Sequence, residues 1–109
     1  IGLLILPRTW NLMRQALRIL MEVAPPGIDI IAATAELAAL PGVREVHDLH
    51  IWTLTSGMEA ATVHIVVDDD ATWHRVLDQT RRILTENYAV THPTIQLEPA
   101  DHVEAPVGF

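Results

Sequence analysis

The chain contains no cysteine and no lysine. The first absence excludes disulfides and thiolate metal sites, so any bound metal must be held by imidazole and carboxylate, a donor set that suits Zn2+ and harder divalent ions better than Cu(I). The second leaves seven arginines against fourteen acids and a net charge of −7 over 109 residues. Arg8, Arg14 and Arg18 precede every acid, so from residue 19 onward four arginines face fourteen acids, a balance of −10. Clustered phosphate-neutralising cations are missing, which excludes nucleic acid as an expected partner. An acidic body does attract metal cations. Aromatics make up only 5% of the chain, so aliphatic side chains must build the core, with Trp10, Trp52 and Trp73 as separate anchors. No glycine-rich phosphate loop occurs, and the single serine, Ser56, sits in a turn signal rather than a strand-turn-helix elbow, so an enzyme is not expected.

The opening "IGLLILPR" is too short to span a bilayer, which needs about 20 apolar residues. Arginines and Trp10 follow it, a pattern expected where a membrane helix exits into the cytoplasm. Together with the absent initiating Met, this leads us to expect a piece of a longer protein. Trp10, Met13, Leu17 and Leu20 then recur at helical spacing, with Arg14 and Arg18 on another face. Two readings of that amphipathic helix stay open: packing against its own domain, or a linker at a membrane surface. "APPG" at residues 24–27 ends it.

Asp29 is an expected N-cap for a helix through "IIAATAELAAL". A strand is expected from Val43 to about Leu54, a turn at "TSGM", and a returning strand "EAATVHIVV". Asp68, Asp69 and Asp70 are expected to supply acids and a cap at the start of a helix from about Ala71 to Asn87 whose inward residues are Val76, Ile83 and Leu84 with Trp73 or Thr80. "TIQLE" alternates as a short last strand, and the tail from Pro99 has no periodicity. The order α-β-β-α-β predicts an open α+β sandwich whose second face needs cover, for which a homodimer is the expectation.

Within "VHDLHIW" the strand period of two sends His47 and His50 to opposite faces. Folding the hairpin about Ser56-Gly57 sets His64 opposite Leu49 and makes His47 its diagonal neighbour on the same face. If the last strand lies beside either of these, Glu98 shares that face. Two imidazoles and a carboxylate are three of the four ligands of tetrahedral Zn2+. The pattern alone leaves open the plainer reading of packed or hydrogen-bonded histidines. His50 reads as structural, and His74, His92 in an "HP" turn and His102 read as solvated.

"LPGVREVHDLHIWTLTSG", "TVHIVVDDD" and "HPTIQLE" together closely resemble the cytoplasmic C-terminal domain of cation diffusion facilitator metal transporters of the zinc type, over residues 8 to about 98. The resemblance implies a ferredoxin-like or metallochaperone-like αββαβ fold, arranged as the end of a transmembrane helix and linker helix over 1–27, the cytoplasmic domain over 28–98 and a flexible tail over 99–109. It implies a homodimer on the cytoplasmic side of a cell membrane, joined to a membrane domain that carries out antiport of Zn2+ or a related ion such as Cd2+, Co2+ or Ni2+. It implies metal ligands at His47, His64 and Glu98, with His74 contributing in some members, and closure of the paired domains by metal. Gln96 stands where some members have histidine, which puts a two-metal arrangement in doubt.

Overall fold

A computed structural model of the chain describes residues 2–21 and 24–101. Six elements follow in order: α1 (Gly2–Leu20), α2 (Ile30–Ala38), β1 (Val43–Thr55), β2 (Met58–Val67), α3 (Trp73–Tyr88) and β3 (Val90–Pro99). Most of the tail expected to be loose, His102 included, lies outside the described residues.

The three strands form one sheet in the order β1-β2-β3. β1 and β2 are an antiparallel hairpin closed at Ser56-Gly57, and β3 returns through α3 to run parallel to β2. Odd-numbered residues of β2, from Ala61 to Val67, pack with Leu49 and Ile51 of β1 against Ala33 and Leu37 of α2 and Val76 and Leu84 of α3. Both helices therefore lie on one face of the sheet, and the even-numbered residues of β2 and β3 occupy the other.

Local chemistry explains the helix limits. Asp29 caps α2 by accepting from the amides of Ile31 at 3.0 Å and Ala32 at 3.1 Å, satisfying two of the four donors that a helix start leaves unpaired. The aspartates expected to cap α3 do not: the N-cap is Thr72, whose side chain makes no capping hydrogen bond. Thr80 rather than Trp73 completes the inward row of α3 beside Val76 and Leu84. A strand longer than the five residues expected begins at Val90, because the whole of β3 finds a partner along β2. His92 is thus in a strand and not in a turn.

α1 is one continuous helix with Pro7 as its sixth residue, where the proline removes one i→i−4 backbone hydrogen bond. None of its residues is buried, and Trp10, Met13, Leu17 and Leu20 are all exposed. The helix does not pack into its own domain's core. It stretches the molecule to 66 Å, and the radius of gyration of 17.4 Å exceeds the roughly 13 Å of a compact chain this long. Among the described residues no helix is long and apolar enough to cross a membrane.

Gly42 holds the turn between α2 and β1 at φ +87, and a Cβ there would lie 2.9 Å from that of Ala71. Backbone strain and overlap act together, so Gly42→Ala is expected to destabilise the chain by about 2 kcal/mol. Thermal melting should show this as a fall of roughly 10 °C.

Candidate metal centre

His47 and His64 sit directly opposite one another across the β1–β2 pair, not on the diagonal that the turn predicts. Thr55 does pair with Met58, as a turn at Ser56-Gly57 requires, but β1 then slips by one residue between Thr53 and Thr55 and by another between His47 and His50. Each slip alone would flip the faces; two restore them. The second is a bulge in which Asp48 and Leu49 together occupy the place opposite Val63. Asp48 takes the left-handed conformation, φ +53, which aspartate tolerates better than most residues. The bulge also overturns the expectation for His50: with one residue inserted, its partner is Thr62, on the face of His64, so His47 and His50 share a face after all.

Glu98 arrives from β3, where Gln96 pairs with His64 and Glu98 with Val66. The even face of the sheet thus assembles one cluster from three strands. The rings of His47 and His64 meet edge to face, their centroids 5.0 Å apart. Glu98 Oε2 lies 2.8 Å from His47 Nε2, and Glu98 Oε1 lies 3.2 Å from His64 Nδ1 and accepts from Gln96 Nε2 at 3.1 Å. Beyond the imidazoles, Asp48 Oδ2 lies 3.2 Å from His47 Nδ1 and 3.9 Å from His64 Nδ1. Side-chain exposure grades across the cluster, from 3% for Glu98 through 25% for each histidine to 62% for Asp48. Two carboxylates, one buried and one at the surface, therefore bracket a pair of imidazoles.

Burial works against a charge on His47. The hydrogen bonds to Glu98 and then Asp48, with their negative charges, outweigh it and hold the imidazole pKa above its ordinary 6.5.

The donor atoms suit a divalent cation. Zn–N and Zn–O bonds of about 2.0–2.1 Å set neighbouring tetrahedral ligands about 3.3 Å apart. His64 Nδ1 and Glu98 Oε1, at 3.2 Å, already have that spacing, and His47 Nε2 lies 2.8 Å from the other oxygen of the same carboxylate. Of the four expected ligands, His47, His64 and Glu98 converge. His74 is exposed on the first turn of α3, a helix of the other layer, and is not among the ligand atoms that approach one another. Asp48 joins His47 and His64 with ligand atoms all within 4.8 Å, a contact the strand period hides because only the bulge creates it.

An αββαβ sheet with helices on one face and a histidine-carboxylate cluster on the other defines a ferredoxin-like domain equipped with hard and borderline metal donors. The chain belongs to the family described as "Cation efflux protein, cytoplasmic domain", whose profile matches residues 25–100. It is similar to the metal cation efflux system protein CzcD of Cupriavidus metallidurans, 40% identical over 112 residues that cover 100% of this chain and 35% of that protein. It is also similar to a cadmium, cobalt and zinc/H(+)-K(+) antiporter of Bacillus subtilis, 36% identical over 94% of this chain and 33% of that protein. The chain thus spans about a third of the length of these curated relatives. Among solved structures, the metal-bound C-terminal domain of the CzcD transporter superposes with a TM-score of 0.61 at 40% identity, covering 65% of this chain and 99% of that one.

Proposed function

We propose that the chain is the cytoplasmic regulatory and dimerisation domain of a divalent-cation efflux transporter of the zinc type, and that His47, His64 and Glu98 bind the regulatory ion. The observation that carries this reading is the meeting of both imidazoles on one buried carboxylate. Water fills the remaining coordination position, and Cd2+, Co2+ or Ni2+ compete for the same donors. His74 has no part in this ion's coordination within one chain, and its replacement leaves affinity unchanged. The transported ion passes through a membrane domain preceding this chain, in exchange for protons, at the cell membrane.

Regulation follows from charge. Two copies paired as a homodimer each carry an acidic body, and without metal they repel one another. Ions bound on the even face of each sheet reduce that repulsion and shift the pair toward a closed arrangement.

Because the chain lacks cysteine, Arg81→Cys on the exposed side of α3 provides a unique spin-label position. In dimers of the chain, zinc is expected to shorten and narrow the distance between labels, with half the effect reached at half-saturation in a parallel calorimetric titration. An unchanged distance at saturation overturns closure, and no saturable heat overturns the site. One observation favours a second reading: the 2.8 Å contact of His47 with Glu98 satisfies both groups without metal, as a structural ion pair in an interaction module would. The same titration separates the two.

A further inference from the structure

Asp48 approaches the cluster from the side opposite Glu98. It sits in the bulge of β1 with a left-handed backbone, φ +53, and its exposed side chain lies 3.2 Å from His47 Nδ1. His47 is thus held at both ring nitrogens, Nδ1 by Asp48 and Nε2 by Glu98. An imidazole binds a metal through one unprotonated nitrogen while the other keeps its proton, and the acceptor of that proton decides which nitrogen is which.

We infer that Asp48 is a positioning residue for the ion, accepting the Nδ1–H of His47 and so presenting Nε2 to the ion shared with His64 and Glu98. This rests on the reading of the cluster as a metal site. The distances favour orientation over direct ligation: Asp48 Oδ2 is 3.9 Å from His64 Nδ1, whereas Glu98 reaches both imidazoles within 3.2 Å.

Two substitutions separate the roles. Asp48→Gly keeps the bulge and removes the acceptor; the variant is expected to melt within a few degrees of the parent, yet to bind Zn2+ about 10–100-fold more weakly by calorimetry. Asp48→Asn keeps an acceptor oxygen and a residue tolerant of positive φ, and is expected to bind within a few-fold of the parent. In the zinc-loaded parent, nitrogen-15 NMR should show the His47 proton on Nδ1, slow to exchange with solvent, and the same resonance should be exchange-broadened in Asp48→Gly. Equal affinity of Asp48→Gly and parent overturns the inference alone. An Asn variant as weak as the Gly variant makes Asp48 a direct ligand and also overturns it. A parent that binds no zinc overturns this inference and the proposed metal site together.

Discussion

Replacing both imidazoles, His47→Ala with His64→Ala, is expected to weaken zinc binding by at least about a thousandfold, since site free energies of roughly 10–16 kcal/mol are shared among only a few ligands. Calorimetric titration reads this directly, and retention of parental affinity would refute the site. The same change acts on the metal-free fold. Glu98 is 3% exposed and would lose two of its partners, so a loss of about 2 kcal/mol is expected even without metal. Adding Glu98→Gln removes the buried charge. The triple variant is therefore expected to regain much of that stability in chemical denaturation while still failing to bind zinc, which separates ligand loss from unfolding.

The second large effect is that of pH, and it has opposite signs in the two states. Below the raised pKa of His47, zinc must displace a proton, so affinity is expected to fall about tenfold per pH unit as acid is added. In the metal-free chain the pairing of His47 with Glu98 and Asp48 overcomes the burial of the ring. A folded pKa above the unfolded one contributes stability that is complete below the ordinary 6.5 and disappears as pH rises through the folded value. Protons thus stabilise the empty cluster and metal the neutral one. Thermal melts with and without zinc should show a clearly smaller metal-induced rise at about pH 5.5 than at about pH 8. A zinc-induced rise that is independent of pH would place binding elsewhere.

Much of this arrangement was legible in residue order. Asp29 before an aliphatic stretch, the turn at Ser56-Gly57 and the inward row of α3 are local signals, and each corresponds to a local interaction in the structure. The shared face of His47, His64 and Glu98 followed from strand period, although the register behind it did not. Bulges are set by how β1 fits both its partner and the helices beneath, and nothing in "VHDLHIW" announces that Asp48 is the inserted residue. That hidden insertion is why His50 changes face and why Asp48 joins the cluster. The extent of β3 was equally illegible, since "VTHP" lacks a clean alternation and becomes strand only because β2 offers a full-length partner.

The crossover through α3 has one more consequence. β1 and β2 meet through a two-residue turn, an event of microseconds, whereas Glu98 joins them only when a strand distant in the chain docks in parallel. The coordination sphere is therefore expected to close late in folding. An ion captured there is then expected to leave the earlier barrier untouched and to prolong the lifetime of the native state without hastening its formation.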